Sequence, residues 1–531
     1  MGIFISVPKT IECVVCAVLF VLLYCVCFYR LTGILQSLSY SGTKLFKWAK
    51  KKGNLTFGKH VLLTMLCVLS TAVVALCFSF SGEWAAVISL ACFAVFFAVF
   101  IWADNKIALK VPVTFTPRLK RLYVVLVVVS LILVYLAVTL LNFADFVWGN
   151  SVFTLLRYCA LSLFGLLIMP ILALSNSIAK IYEVPHNKKF VRKAKAKLKN
   201  SNIRVIGITG SYGKTSTKKI LCEILTTKFK VLATPNSHNT PMGLAMSINN
   251  NDIRNFDFFI AEMGARHVGD IAELCEFCPP EYSLITGVCP QHLESFGSIE
   301  NIVKAKGEIL SGCKKAIIAS DCSALFEAYS CPKLTVDCVK DVKSDCNGST
   351  FTLCFGKETV SAHTKLLGAH AVDNIAIAAM LAHELGMSAK EIALSCEKLD
   401  YIEHRLQLIS SGGVNILDDG YNSNVKGAAA ALEVLNSFNA CKICVTPGLV
   451  ELGMLEESEN RALGKHLVGL DNVILVGETL VIPVKEGYLE NGGDPEKICI
   501  VQTLNAAQEK LKAILKPGDT VLFLNDLPDI Y

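Results

Sequence analysis

VIGITGSYGKTSTKKIL, residues 205–221, is the stretch whose reading decides the fold. A short apolar run meets a glycine-rich turn, the turn closes on Lys214-Thr215-Ser216, and the residues after it read as helix. Strand, glycine loop and helix in that order make an anion cradle. Glycines let backbone N–H groups converge on phosphate oxygens, and the helix N-terminus faces the charge. The usual spacing G-x-x-x-x-G-K-[ST] is missed by one position, because Ile208 occupies the place of its first glycine. The physical requirements remain. Gly210, Ser211, Gly213 and Ser216 are expected to line a nucleotide, Lys214 to reach its outer phosphates and Thr215 to hold Mg²⁺.

Downstream of this loop, short apolar strands alternate with helical stretches. FDFFIAEM, YSLITGV and KAIIAS follow IRVIGI, a pattern that predicts a mostly parallel sheet with helices on both faces. The pattern restarts after LDYIEHRLQLISSGG with VNILDD, KICVTPG, NVILVG and DTVLFLN. Two α/β domains are therefore expected, a central ATP-binding one over 202–407 and a smaller, Rossmann-like one over 408–531.

Upstream the chemistry changes. The chain has 531 residues, 53% of them hydrophobic, and a mean hydropathy of +0.49. Most of the apolar excess precedes residue 175 or so. About five runs there, at 11–29, 61–80, 85–103, 122–142 and 158–174, come close to the roughly twenty residues that cross a bilayer. The first lacks the basic n-region and small-residue cleavage site of a signal peptide. The loops differ sharply in charge: Arg30, Lys44, Lys47, Lys50, Lys51, Lys52 and Lys59 fall between the first two runs, and Lys106, Lys110, Arg118, Lys120 and Arg121 between the third and fourth. The alternate loops carry Glu83 and Asp145. Basic loops stay in the cytoplasm. A multi-pass membrane domain over 1–180 is expected in the cell membrane, with the N-terminus outside, a basic linker over 181–201 on anionic lipid, and the α/β domains cytoplasmic. The net charge of +6 is thus a topology signal, and no nucleic-acid partner is expected. The 22 cysteines are scattered through spans and a cytoplasmic domain, where reduced thiols are the expectation. The pairs Cys275/Cys278 and Cys441/Cys444 would make zinc ligands only if the fold joined them.

TGSYGKTS is similar to the loop of the Mur ligases, the ATP-dependent amide-forming enzymes of peptidoglycan precursor synthesis. FIAEMGARHVGDIAEL, QHLESFGSIENIVKAKGEIL, GAHAVDNIAIAAMLAHELG, EHRLQ and LDDGYNSNVKGAAAALEVL resemble, in order, further segments of the family's MurF-type members, which add D-alanyl-D-alanine to a UDP-N-acetylmuramoyl-tripeptide. The resemblance covers about 200–530. It implies that Glu262, Thr215, His292 and Lys306 hold Mg²⁺ at two sites, with Lys306 carbamylated by CO₂, which turns a cation into an oxygen ligand. It also implies that Asn374 meets adenine, that Arg405 meets the γ-phosphate and that Asp419 meets the nucleotide from the C-terminal domain. Lys214, His292, Lys306 and Arg405 become the catalytic set, and Asn236, His238, Asn239 and Thr240 the acceptor loop; His404 reads as structural.

The implied reaction activates an acceptor carboxylate as an acyl phosphate and passes it to an amine. Implied partners are a nucleotide- or lipid-linked muramyl peptide, D-alanyl-D-alanine, membrane lipid and membrane enzymes of cell-wall synthesis. The chain departs from the family in three places. Spans replace the domain that binds the UDP-sugar end, Val425 stands where proline is usual, and the end reads VLFLNDLPDIY. A different acid–amine pair is the alternative reading. An ATP-driven transporter should carry ionisable residues inside its spans, and the centres of these runs have none. A non-catalytic anchor would not need Lys214, Thr215, His292 and Lys306 together.

Overall fold

Short apolar runs separated by helices build two largely parallel sheets in the computed structural model, which describes residues 28–52, 112–148, 167–235, 237–421, 424–439, 441–478 and 480–525, with scattered positions between 61 and 105. The chain forms two compact units, one before residue 188 and one over Lys188–Leu527.

In the first unit, the helix Gly42–Lys52 buries Leu45, Trp48 and Ala49 on one face and exposes Lys44, Lys47 and Lys50 on the other. A longer helix, Pro117–Trp148, contains the apolar stretch Pro117–Leu136 of mean hydropathy 2.3. Among the described residues it is the one helix long and apolar enough to cross a membrane. Val124, Val128, Ile132 and Leu136 recur every fourth residue and are all exposed, so one stripe of this helix faces away from its own unit. Most of the expected runs at 61–80 and 85–103, like nearly all of 11–29, lies outside the described residues, as does 158–174 before 167. Arg121 donates from Nε to Oε1 of Glu183 at 2.6 Å, which pairs a carboxylate that is otherwise buried. The expected basic linker is helical over most of its length, within the helix Ile168–Lys199.

In the second unit, β1 (Arg204–Thr209), β2 (Val231–Ala233), β3 (Phe258–Glu262), β4 (Tyr282–Ile285), β5 (Lys315–Ile318) and β6 (Lys333–Thr335) form an all-parallel sheet of order β2-β3-β1-β4-β5-β6. Its strands read as continuous apolar runs because helices cover both faces. From β1 the chain goes to the edge strand β2, returns to β3 beside β1, then crosses to β4, β5 and β6 on the other side, so β1 borders a topological switch point, where a crevice opens at the carboxyl ends of the strands. Register does the rest. Ile208 of β1 lies opposite Glu262 of β3, so that carboxylate ends beside the glycine loop.

An antiparallel meander follows: β7 (Val339–Asp345), β8 (Gly348–Phe355) and β9 (Glu358–Thr364). None of these strands is expected from the sequence: β7 (VKDVKSD) is almost entirely exposed and lacks an apolar face, whereas β8 buries the alternating Phe351, Leu353 and Phe355. The second large sheet has the order β10-β11-β15-β12-β13-β14. It comprises β10 (Gln407–Ser411), β11 (Val414–Asp419), β12 (Lys442–Thr446), β13 (Asn472–Val476), β14 (Ile498–Val501) and β15 (Thr520–Leu524). The edge pair β10/β11 is a hairpin turning through Gly412 and Gly413 at φ 60° and 81°, and the remaining pairs are parallel.

Candidate nucleotide and metal site

The loop between β1 and the helix Lys214–Thr226 is held from outside. Ser211 donates its backbone N–H to Gly287 O (2.8 Å) and its hydroxyl to Cys289 O (3.1 Å). Gly213 caps the helix at φ 74°, and a Cβ there would lie 2.4 Å from Asn374 Oδ1. Any side chain at 213 would therefore clash as well as be strained. Asn374 accepts from Thr217 Oγ1 (3.0 Å) and donates to His370 O (2.9 Å), so it buttresses the loop as well as lining the cavity beside it. Lys214 folds back, donating to Gly210 O (2.7 Å) and Ser211 O (3.2 Å). Burial pushes its ammonium down from the usual lysine range, Glu262 pulls it back up, and Arg405 adds to the fall.

Glu262 is buried at the end of β3, yet each oxygen is engaged. Oε2 accepts from Thr215 Oγ1 (3.1 Å) and from Lys218 Nζ (3.0 Å), and Oε1 from Asn239 Nδ2 (3.3 Å). Thr215 and Glu262 thus form the oxygen pair that a hard divalent cation prefers. Lys218 was not foreseen. It lies one turn beyond Lys214 on the same helix, and that spacing was the available signal.

Lys306, in the helix Ile299–Gly307, is buried and makes no hydrogen bond or ion pair among the described residues; its Nζ lies 5.8 Å from the Phe296 ring centre. Burial first, then the nearby charge of Lys214, pushes it down to about 7. His292 has a left-handed backbone (φ 54°), and its Nδ1 is in hydrogen-bond contact with Oε2 of Glu451. Burial lowers its tendency to protonate, against the pull of Glu451, which favours the neutral ring that metals bind. Burial works against ionisation of Glu451, but His292 and Arg266 outweigh it and hold the carboxyl below its ordinary range. Among the described residues, no three His, Cys, Asp or Glu side chains could hold a metal by themselves. A cation here would need Thr215, a modified Lys306 or phosphate oxygens to complete its shell.

The second large sheet supplies the opposite wall. Arg405 lies over the Tyr421 ring at 4.3 Å and donates to Tyr421 O at 3.1 Å. Burial lowers its pKa from the usual guanidinium value, while Asp419, Tyr421 and Glu262 oppose that shift. Asp419 ends β11 and accepts from Leu406 N (3.1 Å). His404 pairs instead with Asp418 (2.7 Å), at the edge of the sheet. Between the walls lies a cavity of about 460 Å³, lined by Gly213, Ser216, Asn374, Arg405 and Asp419. That volume falls within the range of small-molecule and cofactor sites. Tyr212, Asp321 and Lys426 line it too, with Lys426 donating to Asp321 at 2.7 Å. This bridge from the C-terminal domain to the central one was not read from sequence.

In the acceptor loop, Asn236 lies outside the described residues. Asn239 faces Glu262, whereas Thr240 uses its hydroxyl to cap the helix Pro241–Asn250, accepting from Gly243 N at 3.3 Å. His238 Nδ1 is buried with no hydrogen-bond partner among the described residues.

Comparisons with known proteins follow the same division. Residues 208–382 match the Mur ligase middle domain, and 404–525 match the Mur ligase glutamate ligase domain. UDP-N-acetylmuramoyl-tripeptide–D-alanyl-D-alanine ligase of Mycobacterium tuberculosis is 30% identical over 366 residues, covering 62% of this chain and 71% of that one. The Bacillus subtilis enzyme of the same name is 29% identical over 345 residues, 62% and 74% of the two chains. Among solved structures, the MurF ligase of Thermotoga maritima in complex with ADP superposes with a TM-score of 0.59 at 27% identity, over 65% of this chain and 81% of that one. MurF of Acinetobacter baumannii superposes with the same score at 25% identity, over 65% and 78%.

Proposed function

This chain belongs to the Mur ligase family, and from that premise we propose that it is an ATP-dependent, ADP-forming ligase of peptidoglycan precursor synthesis, joining UDP-N-acetylmuramoyl-tripeptide to D-alanyl-D-alanine. The observation that carries this reading is a convergence. Lys214, Thr215 and Glu262 gather at the carboxyl ends of β1 and β3, within electrostatic reach of Arg405, beside a cavity that Gly213 and Ser216 line from the loop side and Arg405 and Asp419 from the other.

The acceptor carboxylate attacks the γ-phosphoryl group of ATP, giving an acyl phosphate and ADP. The amine of the second substrate then displaces phosphate and forms the amide. Charge gathers on the phosphoryl oxygens during the first step, and preorganised cations stabilise it best where water is excluded. Lys214 and Arg405 are those cations. Lys214, hydrogen-bonded to the loop carbonyls, would exchange these for phosphate oxygens.

The donor set suits Mg²⁺. Thr215 and Glu262 already share a hydrogen bond, and His292 is paired through one ring nitrogen only. As an ammonium, Lys306 would be a second buried cation near Lys214 with no carboxylate bonded to it; as a carbamate it would bring an anion to that place. Thr215 and Glu262 would hold one cation, and His292 and carbamylated Lys306 the other. Bound Mg²⁺ neutralises phosphoryl charge when present.

The first 180 residues are proposed to anchor the enzyme in the cell membrane by several spans, N-terminus outside and ligase domains inside. The exposed apolar stripe of the helix Pro117–Trp148 and the basic loops support this reading. Membrane lipid and the membrane enzymes that use the product are the partners it implies. Reporter fusions at residues 53, 83 and 145 test the topology, and an external position 53 would overturn it.

The activity test uses purified full chain with Mg-ATP. Phosphate release should require both the UDP-muramyl tripeptide and D-alanyl-D-alanine, with the amide product seen by mass spectrometry. If amide forms only with a lipid-linked acceptor, the ligase chemistry stands and the acceptor assignment falls. One feature of the sequence favours that outcome: the segment before the ligase domains is rich in apolar runs.

A further inference from the structure

We propose that Glu451, carried by the C-terminal domain, is a positioning residue for the second metal site: it fixes the His292 ring so that Nε2 faces the cation. The inference rests on the reading of His292 as a metal ligand.

Three contacts tie Glu451 to the central domain, two of them to the histidine segment. Its Oε2 meets Nδ1 of His292, its Oε1 accepts from Arg266 Nη1 at 3.3 Å, and its backbone carbonyl accepts from Leu293 N at 3.1 Å. A carboxylate can only accept, so the pairing places the imidazole proton on Nδ1 and leaves the Nε2 lone pair free. That is the arrangement by which outer carboxylates orient metal-binding histidines. Both backbones are unusual. His292 and Glu451 sit at φ 54° and 61°, a left-handed conformation that non-glycine residues adopt uncommonly. Such conformations persist where surrounding contacts hold them, and they cluster at functional sites. The side chains are 18% and 13% exposed, shielded enough for the hydrogen bond to keep its geometry while the ring remains reachable.

The two residues stand 159 positions apart, on different domains. Glu451 leaves the end of β12 in the loop 447–455, and His292 follows β4 in the central sheet. The domain that supplies Arg405 and Asp419 to the nucleotide cavity thus also seats a ligand of the second cation. Metal and nucleotide sites are completed by the same approach of the two domains. A plain docking contact would join the domains equally well, and the test must separate the two roles.

The experiment titrates Mn²⁺ into purified full chain with a non-hydrolysable ATP analogue, following bound Mn²⁺ by electron paramagnetic resonance. H292A should lose the second Mn²⁺. E451A should keep the first Mn²⁺ and the nucleotide, which certifies its fold, while its second Mn²⁺ weakens by about 10–100-fold. E451Q, whose amide oxygen still accepts from Nδ1–H, should recover most of that loss. Wild-type affinity at both sites in E451A would reduce Glu451 to a docking contact and overturn the proposal. E451Q as weak as E451A would also overturn it, pointing to charge or direct ligation. If H292A retains both ions, the metal-ligand reading fails first and takes the proposal with it. Histidine ¹⁵N signals of the unmodified protein give a measurement independent of any variant's folding: a proton on Nε2 of His292 contradicts the proposal.

Discussion

Lys218 and Glu262 face each other at 3.0 Å with side chains 2% and 1% exposed, so neither charge has water to fall back on. Removing one partner of such a pair strands the other and typically costs about 3–5 kcal/mol. Lys218→Met should lower the urea midpoint accordingly. Because Glu262 would then be an unbalanced carboxylate, Mg²⁺ with nucleotide should restore more stability to the variant than to the parent. Equal restoration would show that Glu262 does not meet the cation. Lys306 gives a prediction in pH. Its folded value of about 7 lies below its ordinary 10.5, so the unfolded chain binds more protons between the two. Stability from this group therefore rises as pH climbs from about 7 and is complete above about 10.5. CO₂ adds to the neutral amine, so ¹³C-bicarbonate should label the protein increasingly from pH 6 to 8, and Lys306→Ala should remove that signal.

Among the elements, the helix Val425–Asn436 shows how a departure from the family pattern is absorbed. Asn424 caps it, accepting from Gly427 N at 3.0 Å, which makes Val425 the first helical residue. Proline is favoured there because the N–H it lacks is an orphan anyway. The extended backbone of Asn424 (φ −115°, ψ 175°) also suits a residue before proline. Val425→Pro should leave activity intact and raise stability by a few tenths to about 1 kcal/mol. Asn424→Ala should lower it by about 0.5–2 kcal/mol. Thermal melts of both variants decide. A destabilising Val425→Pro would mean that the valine side chain, and not its position, holds the helix.

For the whole molecule, the second unit, Lys188–Leu527, carries all three sheets and every described site residue. A protein beginning at Lys188 should therefore unfold cooperatively and bind ATP with the affinity of the full chain, while losing membrane association. Cell fractionation and nucleotide titration check both halves. A folded fragment that cannot bind ATP would show that the first unit is more than an anchor.

The phosphate loop and eight of the twelve strands of the two large sheets were legible because their signals are local, whereas β2, β6, β10 and β14 were not, and His292 and Lys306 were named only through the resemblance to the Mur ligases. Glycines, apolar runs and a strand–loop–helix order constrain the backbone wherever they occur. In the meander at 339–364, β7 has no apolar face to read, whereas the alternation Phe351, Leu353, Phe355 of β8 was a signal in the sequence that was missed. The pairings were not legible. Lys218 with Glu262, Glu451 with His292 and Lys426 with Asp321 join residues 44, 159 and 105 positions apart. Sequence by itself determined which groups could bind phosphate or metal. Strand order, parallel register and the approach of the two α/β domains decided which charges share a buried space, because electrostatic coupling depends on distance and desolvation, and both are set only when the chain is folded.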